Sequence, residues 1–181
     1  AEAGLGGPLL TFNVFDMDQG RILEDEALPW FELEHNESVQ RVGLITTDDG
    51  RVGCSPDGLL KGSGIEVKCP RPETQTGYLL KGELPKDYRA QVHGSMYVTG
   101  YHSWKFLSYC RRFPALLLTV ERDDGIQSAI ADALGEFLIQ FDAGWKKLCE
   151  MNGGPPARRP QQILMDGEPK PAFIDPDDYR V

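Results

Sequence analysis

At residues 55–70 the chain reads SPDGLLKGSGIEVKCP, and these residues carry its clearest structural and chemical signal. The run Ile65 to Cys69 has the alternation of a β-strand, in which successive side chains point to opposite faces. Glu66 and Lys68 therefore share one face, while their apolar neighbours face a core. Asp57 follows a proline at a strand-to-turn corner, and the Gly-rich turn after it allows Asp57 to meet this pair across a hairpin. The segment predicts two carboxylates and an ammonium group at one point of a β-sheet.

Two converging carboxylates are hard oxygen ligands of the kind that hold Mg²⁺ or Mn²⁺. A lysine beside them can orient a water molecule or stabilise negative charge that develops on a phosphate. The residues form the P-D…E-x-K pattern of metal-dependent nucleases with the restriction-endonuclease-like fold. A Glu-x-Lys pair on a strand is also common as a solvated ion pair, and Asp-Gly is an ordinary turn dipeptide. These residues alone leave both interpretations open.

Two further motifs flank this segment in the chain. Upstream, residues 20–27 read GRILEDEA and match the pattern G-x-x-x-E-x-x-A; downstream, residues 88–100 read YRAQVHGSMYVTG and match Y-x-x-Q-x-x-x-x-M-x-V-T-G. In this order, the three motifs resemble those of the lambda-exonuclease-like viral recombinases, also called the YqaJ family. The resemblance extends from about Gly20 to Met151, which is most of the chain.

The resemblance implies a phage enzyme that digests the 5′-ended strand of linear double-stranded DNA and leaves a 3′ overhang for recombination. It also implies a ring-shaped homotrimer threaded by DNA with free ends, and a single-strand-annealing protein as a partner. We expect such a protein to act in the cytoplasm of a bacterial host. Family members usually carry a Trp-x-x-x-Arg helix and a serine that contact DNA before the Glu24 motif, and residues 1–19 contain no counterpart of them, which leaves the N-terminal DNA contacts open.

The hypothesis for the site is metal-assisted hydrolysis of a phosphodiester. Asp57 and Glu66, with the main-chain carbonyl of Val67, bind one Mg²⁺, for which Mn²⁺ is a possible substitute. Asp57, with Glu24 through water, serves a second metal about 4 Å from the first. Lys68 positions or deprotonates the nucleophilic water and neutralises charge in the transition state.

The resemblance selects four further residues, each of which has an ordinary structural interpretation as well. Glu24 is chosen over its acidic neighbours only by the family motif, since acids are common near a helix N-terminus. Gln91 would orient a water or a catalytic side chain, but it fits ordinary helix surface equally well. Ser55 matches the serine that helps to hold the terminal 5′ phosphate, and Arg71 is a substitute for the family's arginine, because Thr74 occupies the aligned position.

Composition limits the class of protein. At 181 residues, of which 40% are hydrophobic, the chain is long enough for one domain with a core. We expect a nuclease domain over residues 1–152 and an extended, proline-rich arm over 153–181. No apolar run approaches the ~20 residues of a membrane span, and no signal peptide is recognisable. The four cysteines are widely spread, which favours reduced packing thiols over the four-cysteine iron–sulfur cluster of some related nucleases.

The net charge of −9 is unusual for a DNA enzyme, because phosphate contacts need lysine and arginine. The charge is distributed unevenly, however. Six cations lie between residues 61 and 89, whereas acids are concentrated in residues 24–37, 48–49, 121–124 and 175–178. A basic inner lining with an acidic outer surface would suit an enzyme that encloses DNA.

The predicted fold is α+β, an α/β/α arrangement with a central mixed β-sheet flanked by helices. We expect a kink or a break at Pro29 in the first helix and a C-cap at Gly100. The predicted helices are residues 17–34, 73–80, 86–99 and 125–151, and the predicted strands are 39–46, 51–55, 57–61, 65–69, 104–109 and 116–121.

Two other functions fit the same residues. The first is a restriction-like or repair endonuclease with the same metal core and no need for a DNA end. The second is a catalytically silent DNA-binding subunit that keeps the fold, although the presence of Asp57, Glu66 and Lys68 together argues against it.

Overall fold

The computed structural model describes residues 14–155. This part of the chain contains four helices and six strands. In chain order they are α1 (Val14–His35), β1 (Ile45–Thr46), β2 (Gly53–Cys54), β3 (Gly58–Leu60), β4 (Ser63–Lys68), α2 (Pro72–Lys81), α3 (Lys86–Thr99), β5 (Ser103–Ser108), β6 (Leu116–Glu121) and α4 (Asp124–Asn152).

Four of the strands form one mixed sheet in the order β3-β4-β5-β6. The β3–β4 and β5–β6 pairs are antiparallel, whereas β4 and β5 are parallel. A parallel pair needs a crossover connection, and α2 and α3 together provide it. The sheet and its helices confirm the predicted mixed α+β fold, with the Glu-x-Lys strand β4 in the interior of the sheet.

The two faces of the sheet are covered by different helices. On one face α1 packs its buried residues Ala27, Leu28 and Phe31 against Ile65 and Val67 of β4. On the other face α3 packs Val92 and Met96 against Trp104 and Phe106 of β5. Alternation along β4 therefore turns its apolar residues towards α1 and leaves Glu66 on the face covered by α3.

A close contact between neighbouring strands requires glycine at position 64. A Cβ atom placed there would lie 2.2 Å from the ring of Trp104. Gly64 and Trp104 are directly paired across β4 and β5, and Trp104 is fully buried. The absence of a side chain at Gly64 is thus what lets the Trp104 ring pack against the backbone of β4.

The predicted strands 39–46 and 51–55 pair with each other, but over a shorter range than predicted. Only Ile45–Thr46 and Gly53–Cys54 pair, and they form a separate two-stranded sheet. Gln40 instead makes an isolated bridge to Leu59 of β3. The segment changes partner between these two contacts, and Gly43 lies in the part between them that has no strand pairing.

Of the predicted kink or break at Pro29, the break does not occur, because α1 continues as one helix through this residue. Proline removes one main-chain hydrogen bond from a helix. Leu28 and Phe31 on either side of it are buried in the core, so packing stabilises this turn. The predicted C-cap at Gly100 is confirmed, since this residue has a φ of 72° and its N–H bonds to the Met96 carbonyl.

Helix α4 packs on α3 through its first half. The Asp123 side chain caps it by accepting the Ile126 N–H at 2.9 Å, and Gln127 Nε2 donates to the His93 carbonyl at 3.0 Å. In the second half Phe141 and Trp145 remain 50% and 44% exposed. The predicted arm 153–181 lies outside the described residues from position 156 onwards, so it stays a prediction.

None of the four cysteines forms a disulfide. Within residues 14–155, no helix is both long enough and apolar enough to cross a membrane.

Candidate active site

The hairpin formed by β3 and β4 brings Asp57 to the Glu-x-Lys strand. The ladder between these strands ends at the pair Gly58 and Ile65. Just beyond it, the Asp57 carboxylate takes the place of a main-chain acceptor, since its Oδ2 accepts the Val67 N–H at 2.6 Å. This bond holds the Asp57 side chain in one orientation beside β4.

The second carboxylate, Glu66, is the most enclosed acid of the site, with 2% of its surface exposed. Its Oε1 atom accepts hydrogen bonds from Lys68 Nζ and from Gln91 Nε2, the latter at 2.6 Å. The Lys68 ammonium also lies over the ring of Tyr88, 5.3 Å from its centre. Two residues of α3 thus hold this ion pair: Gln91 contacts the Glu66 carboxylate, and Tyr88 contacts the Lys68 ammonium.

Both carboxylates are costly to ionise in this environment. Burial, and then repulsion from Asp57, raise the pKa of Glu66 to about 7, although Lys68 opposes the increase. Burial likewise raises the pKa of Asp57, against the effects of the Val67 N–H, Lys68 and Arg41. A divalent cation between the two carboxylates would remove this penalty, which is the electrostatic condition expected of a metal site.

The donor set fits a hard cation such as Mg²⁺ in its chemistry, with two carboxylates and nearby main-chain carbonyls. Residues 14–155 contain no group of three or more His, Cys, Asp or Glu side chains placed to hold a metal ion together. A cation bound by Asp57 and Glu66 would therefore take its other ligands from main-chain oxygens, water and the substrate. Mg²⁺ commonly binds in this way, since it keeps several waters and uses substrate phosphates.

Glu24 approaches the site from a different helix than the one that covers the face of Glu66 and Lys68. It belongs to α1, which packs on the opposite face of the sheet. Its negative charge nevertheless raises the pKa of Glu66, as the smallest of the contributions. Burial, followed by the charge of Glu24, raises the pKa of the Cys69 thiol to about 12. Glu24 therefore approaches the carboxyl end of β4 from the α1 side.

The two residues predicted to hold a 5′ phosphate lie in different surroundings. Ser55 follows β2 and, together with Gln91, lines a cleft of about 310 Å³ between β2, α3 and α4. Arg71 is the N-cap residue of α2, three residues after Lys68, and is exposed. The cleft therefore borders the carboxylates on the side of Ser55 and Gln91, and Arg71 does not line it.

Sequence reasoning missed Arg41. Its positive charge lowers the pKa of Asp57, and Arg41 Nη2 donates to Asp25 Oδ1 of α1 at 3.2 Å. The sequence holds no motif around Arg41, and the predicted strand there would have placed it in an extended hairpin away from the site. Only the bridge between Gln40 and Leu59 reveals its position.

Comparisons with known proteins identify the family and the fold. Residues 11–102, which include Glu24, Asp57, Glu66, Lys68 and Gln91, match the model of the YqaJ-like viral recombinase domain. The crystal structure of an alkaline exonuclease, LHK-Exo from Laribacter hongkongensis, superposes with a TM-score of 0.69 at 30% identity, covering 76% of this chain and 74% of that one. LHK-Exo in complex with dAMP gives the same score and identity, with 73% of its chain covered. No curated protein matches the sequence.

Proposed function

This chain belongs to the YqaJ-like viral recombinase domain family and is a nuclease of the alkaline-exonuclease type, and from this premise we propose that it degrades the 5′-ended strand of linear double-stranded DNA. The reaction would leave a 3′ single-stranded overhang for phage-type recombination. The observation that carries the proposal is the Glu66 carboxylate, buried beside Asp57 and bonded to both Lys68 and Gln91.

Mg²⁺, or Mn²⁺ in its place, is the proposed cofactor. Asp57 and Glu66, with the Val67 carbonyl, would hold one ion, and Asp57 with Glu24 through water would serve a second. Bound metal would polarise the scissile phosphate and stabilise the attacking and leaving oxygens. The raised pKa values of both carboxylates support this assignment, because a buried acid pair is stabilised by a cation.

Lys68 and Gln91 have complementary roles in the proposed reaction. The Lys68 ammonium, held between Glu66 and the Tyr88 ring, would orient the attacking water and offset the negative charge that grows on the phosphate. Gln91 would keep the Glu66 carboxylate in its orientation through the 2.6 Å bond. Gln91 is therefore a positioning residue, since it acts through Glu66.

The end of the DNA strand would be recognised by its 5′ phosphate. Ser55 is the proposed hydroxyl donor to this phosphate, and Arg71 the proposed guanidinium. LHK-Exo binds dAMP, which supports the proposal that this chain releases nucleoside monophosphates. The cleft lined by Ser55 and Gln91 is a candidate space for such a product.

We propose a homotrimer as the assembly, with a single-strand-annealing protein as a further partner that coats the remaining strand. The exposed apolar residues of α4 support self-association, since monomeric proteins rarely expose contiguous apolar patches of this kind. They include Phe137, Phe141, Trp145, Leu148 and Met151. The proposed place of action is the cytoplasm of a bacterium that carries the phage or prophage.

The proposed function is tested with three DNA substrates in Mg²⁺: linear duplex with 5′-phosphate ends, the same duplex with 5′-hydroxyl ends, and a supercoiled circle. We expect fastest digestion of the phosphorylated duplex, a 3′ overhang in the product, no nicking of the circle and no reaction in EDTA. Nicking of the circle would instead favour the endonuclease. Equal rates on the two linear substrates would remove the support for 5′-end recognition.

A further inference from the structure

We propose that Arg41 binds the phosphodiester backbone of the substrate strand beside the scissile bond, and that Asp25 holds its guanidinium until DNA arrives. This inference rests on the proposed nuclease function and adds a contact to it. Arg41 belongs to none of the motifs that point to the active site.

Main-chain contacts place Arg41 at the edge of the site. Gln40 and Leu59 exchange two hydrogen bonds, of 2.8 and 2.9 Å. In this antiparallel register Arg41 lies opposite Gly58, the residue that directly follows Asp57. The Val39 N–H also donates to Glu32 Oε1 of α1 at 2.6 Å. The position of the Arg41 backbone is therefore set by β3 and α1, independently of its own side chain.

Arg41 and Lys68 place positive charge on two sides of the carboxylates. Lys68 is bonded to Glu66 on the face covered by α3, whereas Arg41 is paired with Asp25 of α1. Lys68 pairs with Glu66 itself, and Arg41 lies opposite Gly58, the residue next to Asp57, so the two cations flank the carboxylates. If the scissile phosphate of a DNA strand lies at Asp57 and Glu66, a neighbouring phosphate of that DNA strand would be attracted by the positive charge of Arg41.

The pair between Arg41 and Asp25 is one that a phosphate can displace. The two side chains are 55% and 77% exposed and share a single bond of 3.2 Å, and surface ion pairs of this type contribute about 0–1 kcal/mol. Other arginines are held more firmly. Arg111 makes two bonds to Glu26, and Arg51 makes two bonds to Asp142. Arg41 would exchange Asp25 for a phosphate, to which guanidinium groups bind strongly.

The negative charge around the site favours the exchange of Asp25 for a phosphate at Arg41. Glu24, Asp25, Asp57 and Glu66 all lie in or beside the site, and they repel the phosphates of an approaching strand. Arg41 offsets part of this charge on the α1 side, where Glu24 and Asp25 both lie. The same argument predicts that Asp25 opposes binding, because it competes with phosphate for the guanidinium.

The test compares Arg41→Gln, Arg41→Lys and Asp25→Asn with a matched control, Arg51→Gln, whose guanidinium pairs with α4. Affinity for a 5′-phosphorylated linear duplex is measured by anisotropy in EDTA over a series of salt concentrations, and kcat/KM is measured in Mg²⁺. We expect Arg41→Gln to bind several-fold more weakly, with kcat/KM reduced in proportion. Its slope of log affinity against log salt should fall by about one, as for the loss of one phosphate contact.

Arg41→Lys should keep the wild-type slope because it keeps the charge, and Arg51→Gln should match wild type. Asp25→Asn should bind more tightly than wild type. The inference is overturned if Arg41→Gln keeps the wild-type slope, or if Asp25→Asn weakens binding as Arg41→Gln does, since the pair would then be only a structural link. If wild type neither binds nor degrades linear duplex, the proposed function itself is wrong.

Discussion

Glu66 is the residue at which the charges of the site meet. It is buried, it lies near Asp57, and it shares one carboxylate oxygen between Lys68 and Gln91. Each of these contacts comes from a different part of the chain. A change at any one of them should therefore act on the others through Glu66, and variants of these residues should not have additive effects.

Replacement of Lys68 by alanine should reduce kcat by about 10²–10³-fold, which corresponds to the loss of one group that stabilises transition-state charge. DNA affinity should change little, because one phosphate contact is a small part of the electrostatic total. Lys61→Ala, at the exposed turn of the same hairpin, is the control and should retain activity. Single-turnover rates and binding curves separate the two effects. Normal cleavage with weak binding would reassign Lys68 to phosphate binding.

The raised pKa of Glu66 predicts how stability depends on pH in the metal-free protein. Since the folded-state pKa of about 7 lies above the ordinary value of 4.5, the folded state holds a proton that the unfolded state has lost. Stability should therefore fall as pH rises from about 4.5 to 7. Glu66→Gln should remove this part of the pH dependence, as measured by Tm at each pH.

Mg²⁺ at pH 7 should raise the Tm of the wild type, because binding to the folded state alone stabilises it. The increase should be much smaller in Glu66→Gln, which lacks one proposed ligand. An equal increase in both proteins would place the metal elsewhere.

Among the elements, β4 has the most constraints, since it has strands on both sides and helices on both faces. Glu66 and Lys68 carry the polar groups of the site, and Ile65 and Val67, before and between them, belong to the core beneath α1. Gly64, at the start of the strand, accommodates the ring of Trp104. The strand therefore holds Glu66 in place through packing that involves no catalytic group.

Gly64→Ala should destabilise the protein by about 1–3 kcal/mol, the usual range for an overpacked core. The added methyl group would lie 2.2 Å from Trp104, so the ring or the strand has to move. Gly77→Ala in α2 is the control, since its Cβ meets nothing within 4 Å. It should be neutral or stabilising by about 0.5–1 kcal/mol, because alanine favours a helix. Urea unfolding curves measure both, and equal stability of the two variants would contradict the packing argument.

At the scale of the whole molecule, the second half of α4 exposes large apolar side chains that the fold leaves uncovered. Arg51 of the turn between β1 and β2 reaches Asp142 and ties this half of the helix to the rest of the protein. Beyond that contact the apolar residues continue at helical spacing, and Phe141 and Trp145 stack on each other with rings 6.5 Å apart. We propose that a second copy of the chain buries this surface in an interface.

Phe141→Glu should shift the protein from an oligomer to a monomer, because a charge in an apolar interface is not compensated there. Ala143→Glu introduces the same charge on another face of α4, where it is exposed, and should leave the oligomer intact. Sedimentation velocity at several concentrations measures the change. If wild type is a monomer at all concentrations, or if Phe141→Glu leaves the assembly unchanged, this surface is not the interface.

Much of this structure follows from local sequence. The alternation over Ile65 to Cys69 predicts strand β4, and the hairpin predicts the meeting of Asp57 with Glu66 and Lys68. The helix at 86–99 and the strand at 116–121 have their predicted bounds. These features depend on side-chain periodicity and on turns, which are properties of a few consecutive residues.

Other features were decided only by contacts between distant parts of the chain. The segment after residue 39 has the alternation of a strand, yet it pairs first with β3 and then with β2, because a strand's partner depends on which edges are available. Glu24 belongs to the helix that covers the face opposite to that of Glu66, since the apolar stripe of α1 decides which side of the sheet that helix covers. Arg41 reaches the site through a bridge between residues 40 and 59. A local pattern specifies which side chains share a face, whereas their neighbours across space are specified by packing of the whole chain.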